Sequence, residues 1–218
     1  MTQPSSALIW DSFTRLFHWL LAASIGLAWW TAEQGGDWME WHLRCGYAVL
    51  SLVGFRLIWG FVGSRYARFG SFIQSPANTL NYAKSLKAGS APEYQGHNPL
   101  GGWMVIALLL LALTQATTGL FANDDIFTEG PLASLISYDL SIEITRWHEA
   151  LFNVILVAIG LHLAGVFFHQ LVKKEKLIQA MIHGRKPAAP QTAIASQRWL
   201  PGLILAGAFA GLFVWLGF

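Results

Sequence analysis

RWHEALFNVILVAIGLHLAGVFFH, residues 146–169, decides how this chain must fold. Past Glu149 it is almost wholly apolar. At about 1.5 Å per residue, it is long enough as a helix to cross the roughly 30 Å hydrocarbon core of a bilayer. His148 and His162 stand fourteen residues apart within it. Fourteen steps of about 100° return to within roughly 40° of the starting direction, so both imidazoles leave one face. They are separated along the axis by about 21 Å. Such a helix presents imidazole near one membrane surface and again toward the other, like a rail for two stacked cofactors. The rest of the chain is then read for the opposite ligands.

The composition agrees with a polytopic membrane protein. Of 218 residues, 54% are hydrophobic and only 12% charged, with eleven tryptophans and a mean hydropathy of +0.44. One all-α membrane bundle is expected. The net charge of +2 needs no nucleic acid to explain it, because the basic residues serve topology. The single cysteine, Cys45, excludes an internal disulfide, an iron–sulfur cluster held by several thiolates, and covalent haem attachment through C-x-x-C-H. The N-terminus lacks the pattern of a cleaved signal peptide, so the first hydrophobic segment is expected to remain as an anchor.

Five spans are expected, over about 13–31, 38–61, 101–121, 146–171 and 199–218, the last after a Pro/Ala-rich linker at 187–198. Between the second and third, Ser75-Pro76 reads as N-cap and first position of a short helix, with Leu80, Ala83 and Leu86 at helical spacing. That helix is expected to lie on the membrane surface. Gly184 reads as a helix stop, and Gly207 and Gly211 as a small-xxx-small packing pattern. Arg65, Arg68, Lys84 and Lys87 follow span two, and Lys173, Lys174 and Lys176 follow span four. The other two connections carry Glu33, Asp37 and Glu40, and Asp124, Asp125, Glu129, Asp139 and Glu143. The positive-inside rule then places the N-terminus in the cytoplasm and the C-terminus outside, in the periplasm.

This topology gives each histidine a depth. His42 and His148 lie near the outer surface, His18 and His162 nearer the inner one. Iron in a planar macrocycle takes axial ligands from two sides, and facing helices supply them. The pairs His18/His162 and His42/His148 therefore suit two non-covalent haems b, each six-coordinate and fitted to single-electron transfer. Ionisable groups within spans are costly, which favours a functional role for all four. His169 shares the face of His162 and competes with it, although a place at the cytoplasmic rim suits a solvated interfacial residue. His97 and His183 fall in loops and are expected to be exposed, with His97 the alternative lining of a quinone or propionate site. Arg15, Arg44 and Arg146 flank the ligands and can pair haem propionates bidentately. Arg44 and Arg56, inside span two, need counter-charges. The tryptophans at span ends read as an aromatic belt.

Arg15-Leu16-Phe17-His18-Trp19, Trp41-His42, Gly96-His97-Asn98-Pro99-Leu100-Gly101 and Trp147-His148 with His162 together resemble the bacterial cytochrome b561 family. The resemblance extends to the cytochrome b subunits of nickel–iron hydrogenases and covers about residues 8–186. It implies a four-helix di-haem bundle at residues 1–186 in the bacterial inner membrane, with His18, His42, His148 and His162 as ligands. The fifth segment departs from four-span members. Members pass electrons between the quinone pool and a periplasmic c-type cytochrome or oxidoreductase. One branch resembles a superoxide:quinone oxidoreductase. The leading expectation is a transmembrane electron carrier in the respiratory chain, whose acidic outer loops steer a basic partner. The alternatives are superoxide oxidation, a hydrogenase anchor subunit and a non-redox anchor. Gly207 and Gly211 can pack the fifth span against its own bundle, against a second copy in a homo-oligomer, or against a partner subunit.

Overall fold

The computed structural model describes residues 6–126 and 128–217. The first residues of the polar start, and Phe218 at the end of the last expected span, lie outside the described residues. In chain order the elements are β1 (Ser6–Leu8), α1 (Ser12–Gln34), α2 (Met39–Val62), α3 (Pro76–Lys87), α4 (Pro99–Gly119), α5 (Tyr138–Phe167), α6 (Leu177–His183), β2 (Arg185–Pro187) and α7 (Trp199–Gly217).

Among the described residues, four segments are long and apolar enough to cross a membrane: Gly36–Val62, Pro99–Gly119, Tyr138–Val172 and Trp199–Leu216. They correspond to four of the five expected spans. The first expected span forms α1, which has the length at 23 residues. It falls short in apolarity, diluted by Arg15, His18, Ser24 and Thr31. The helix expected to begin near Arg146 begins earlier, at Tyr138. Ser137 starts it, accepting from Leu140 N at Oγ and from Ser141 N at its carbonyl. Asp139 then sits in the first turn, where a carboxylate suits a helix N-terminus. The expected short helix is α3, and Ser75 Oγ accepts from Asn78 N at 3.2 Å as its cap.

The chain forms two compact units. One comprises the residues up to Leu16, Arg56–Ala107 and Gly160–Ile204. The other comprises Phe17–Phe55, Leu108–Ile159 and Leu205–Phe218.

The first unit contains something periodicity did not announce. β1 and β2 pair antiparallel, Ser6 with Pro187 and Leu8 with Arg185. Gly184, at φ 84°, ends α6 as expected, and its carbonyl accepts from both Ile9 N and Trp10 N. Ala7, Ile9, Trp10 and Ala180 are buried together. The Pro/Ala-rich stretch is bonded as well: Ile194 N donates to the Leu8 carbonyl, and the Tyr66 hydroxyl to that of Thr192. Asp11, fully buried, caps α1 by accepting from Thr14 N and Thr14 Oγ1, each at 2.8 Å, and from Ser64 Oγ at 2.5 Å. It also balances the charge of Arg56, which is 3% exposed and lies over the Phe69 ring. Arg56 thus has the counter-charge the sequence demanded. The Phe13 ring packs against Trp59 and Trp199 and closes on Gly202, where any Cβ would collide with it.

In the second unit Phe209 of α7 fills the notch at Gly54 of α2. Gly207 and Gly211 have no described atom within 4 Å of where a Cβ would stand. The small-residue pattern therefore does not seat α7 on its own bundle; an aromatic side chain meeting one glycine does. The connection before α5 is tightly bonded: Asp124 Oδ1 accepts from Ile126 N and Thr128 N, Glu129 Oε1 from Asn123 Nδ2, and the Phe121 carbonyl from Ser141 Oγ.

Asp11→Ala removes a helix cap, the acceptor of two buried hydroxyls and the counter-charge of Arg56 together. It is expected to cost about 3 kcal/mol, against about 1 kcal/mol for Ser64→Ala, measured by denaturant titration of the purified protein.

Candidate functional site

Two histidines that the sequence places 106 positions apart come face to face in the second unit. The rings of His42 (α2) and His148 (α5) have centroids 6.1 Å apart at an interplanar angle of 81°. Two metal–nitrogen bonds of about 2 Å each, extended by two imidazole radii, come to roughly the same span. The separation therefore fits one metal between the rings.

The hydrogen bonds decide which ring nitrogens carry the protons. His42 Nδ1 lies 2.9 Å from the Ala28 carbonyl, which can only accept, so Nδ1 carries the proton and Nε2 keeps its lone pair. That carbonyl also takes a bond from Thr31 Oγ1, and Thr31 is fully buried. His148 Nδ1 lies 3.0 Å from Thr118 Oγ1. The Thr118 hydroxyl spends its own proton on the Thr114 and Gln115 carbonyls, at 2.9 Å each, so it accepts from His148. His148 Nε2 is left with its lone pair, toward which Gln115 Nε2 donates at 3.1 Å. Gln115 also donates to the His148 carbonyl at 3.0 Å. Both rings are thus held in the tautomer in which Nε2 can bind iron, through the carbonyl or hydroxyl partners usual behind metal-bound histidines.

Glycines leave room beside the rings. Gly46, one turn beyond His42, has no described atom within 4 Å of where a Cβ would stand. Gly119 does the opposite: a Cβ there would stand 3.0 Å from His148 Cε1, so the imidazole rests against bare backbone.

His18 belongs to this second unit, half-buried on α1 and edge-on to Trp19 at 4.8 Å. His162 belongs to the first unit, half-buried on α5. Gly165, three residues further along, has open space beside it like that at Gly46.

A family model of prokaryotic cytochrome b561 matches residues 9–184. The chain belongs to that family. No curated protein and no solved structure matches it at a significant level. This b561 chain is accordingly a multi-pass membrane protein of b-type haem electron transfer. The match ends at Gly184, ahead of β2 and α7.

The arginines of this cytochrome are already engaged. Arg15 donates to the Ile182 carbonyl at 2.6 Å and to Ser12 Oγ at 3.0 Å. Arg44 pairs with Glu40 one turn away and lies over the Trp41 ring. Arg146 pairs with Glu143 at 3.2 Å.

Two histidines differ from expectation. His97 is not a free loop residue, since its ring sits between Trp10 at 4.8 Å and Phe72 at 4.9 Å. His169, expected to be solvated, is 6% exposed. It stands on a π-helical turn, Phe168–Val172, with Nδ1 3.2 Å from Glu175 Oε1 and Nε2 3.3 Å from Asn98 Nδ2. The wider turn and the chain reversal after Lys174, at φ 57°, bring Glu175 back over the helix end. Straight helical extrapolation cannot anticipate that. His183 is exposed, as expected. Nearby, burial pushes the Tyr82 hydroxyl up to about 12, with Glu175 and Tyr94 adding to the effect. Burial lowers Lys186, against the pull of Glu175 and Glu93.

Gln115 and Thr118 were not singled out in the sequence. The available signal was the polar run Thr114, Gln115, Thr117 and Thr118 at the end of the apolar α4, with Gln115 and Thr118 on one face. Thr118→Val keeps the shape and deletes the acceptor behind His148. It is expected to weaken haem retention about 10- to 100-fold, as read by competitive transfer to a haem-scavenging protein, while Thr117→Val leaves it unchanged.

Proposed function

We propose that this cytochrome carries single electrons across the membrane, through two haems b, between the quinone pool and a redox partner on the periplasmic side, a c-type cytochrome or an oxidoreductase. The observation that supports it best is the His42–His148 pair, with both rings in the Nδ1-protonated tautomer and their centroids 6.1 Å apart. In this reading His42 and His148 hold the outer haem, and His18 and His162 the inner one. Gly46 and Gly165 supply flat space for the macrocycles. A b-type haem held by such histidine pairs would supply one-electron chemistry. The protein's part is to fix the imidazoles, exclude water and keep the ligand nitrogens unprotonated.

Residues 1–186 then form the di-haem domain, with 187–198 as linker and 199–218 as an added span. α1 also crosses: at about 1.5 Å per residue its length suffices, and its polar residues His18 and Thr31 serve the sites. The N-terminus lies in the cytoplasm and the C-terminus in the periplasm. A guanidinium has five N–H donors, so Arg15, Arg44 and Arg146 retain capacity for propionates beyond their present partners. Glu40 and Glu143 neutralise Arg44 and Arg146. That weighs against a cationic funnel for a small anion, and so favours electron carriage over superoxide oxidation.

The test is the haem-to-protein ratio with reduced-minus-oxidised spectra, using a quinol as reductant. Two low-spin b haems, at least one reduced by quinol, are expected. His42→Ala and His148→Ala should each lose the same haem, and His162→Ala the other. One haem or none in the unmodified chain overturns the reading. Transfer to a basic cytochrome should slow as salt rises; a salt-independent rate would remove the acidic loops from docking.

A further inference from the structure

His169 is a buried titratable group for which the haem sites have no use. It lies seven residues beyond His162 on the same helix, close to the same face and about 10 Å further along. Its protonation pattern follows from its neighbours. Asn98 Oδ1 accepts from Gly101 N at 2.8 Å, which turns the amide nitrogen toward His169 Nε2. Nε2 therefore accepts, Nδ1 carries the proton, and the Glu175 carboxylate takes that bond at Oε1. An uncharged imidazole is thus set against a mostly buried carboxylate, which is 17% exposed. Lys186 and Tyr82 both feel the Glu175 charge, Lys186 together with that of Glu93 and Tyr82 together with that of Tyr94, while Lys173 is turned to the Ala91 carbonyl.

We propose that the His169–Glu175 pair is a proton-binding site coupled to the haem held at His162, taking up one proton from the cytoplasmic side when an electron enters that haem. This rests on the reading of His162 as a ligand. At about 10 Å, and at the effective dielectric of about 20 that suits protein sites, one unit of charge alters proton affinity about tenfold. Asn98 already occupies Nε2, so the added proton is shared along the carboxylate–imidazole contact. The electron comes from a quinol or a chemical reductant and rests on the iron. The proton comes from bulk water and rests on the pair. Both leave on re-oxidation, and only one O–H or N–H bond is made and broken. A π-helical turn under the group is the kind of local irregularity that recurs at functional sites.

Spectroelectrochemical titration of the full chain with both haems, at a series of pH values from about 5.5 to 9, tests this. One haem should become harder to reduce as pH rises. At fixed potential its reduced-to-oxidised ratio should fall about tenfold between the acid and alkaline limits. Glu175→Gln and His169→Gln should each flatten that dependence, whereas His183→Gln, at an exposed ring, should not. Two bound haems with pH-independent potentials would overturn the proposal, as would a dependence that survives in both variants. Should both variants lose haem, an indicator dye in the unmodified protein decides: proton uptake on reduction supports the coupling and none refutes it. A chain with fewer than two haems would instead overturn the ligand role of His162, and the coupling with it.

Discussion

A polar group carried into an apolar helix has no water to bond and must be satisfied inside the protein. That constraint organises both units. Thr31, wholly buried in α1, returns its hydroxyl to the Leu27 and Ala28 carbonyls, and the Ala28 carbonyl then holds His42. Thr118 does the same one helix away and holds His148. In each case a bond that satisfies a threonine also fixes an imidazole, so the polar residues of α1 and α4 belong to the site as much as the histidines do. Asp11 plays the equivalent part in the first unit, gathering a helix start, two hydroxyls and a buried guanidinium.

What could be read in advance was what repeats or caps locally. The apolar segments, the Ser75-Pro76 helix start and the Gly184 stop all follow from signals within a few residues. The misses are non-local. Three-residue strands such as β1 and β2 have no periodicity to detect, and their register depends on partners at the other end of the chain. The burial of His169 depends on a π-turn and a reversal at Lys174, which the apolar pattern does not encode. Gly207 and Gly211 match a packing motif that left the partner of the last helix open, and the contacts seen are those of Phe209 at Gly54 and Phe13 at Gly202.

The acidic residues expected to mark an outer face have structural duties as well. Asp124, Asp125 and Glu129 close the turn before α5, taking bonds from backbone amides, the Tyr138 hydroxyl and Asn123. Charge counting alone attributes such residues to topology or docking. Here they also tie the connection to the start of α5, the helix that carries His148.

The pairing of β1 with β2 bears on how the molecule is made. Arg185 Nη1 reaches the Ser6 carbonyl across 179 positions of sequence. At about 5–20 residues per second, the first strand waits roughly ten to thirty-five seconds of synthesis for its partner. During that time Ile9, Trp10 and Asp11 have no completed core to enter. Assembly of the first unit is therefore a late event, finished only after α5 has been made. Any factor that delivers haem would meet a nascent chain whose N-terminal clasp is still open.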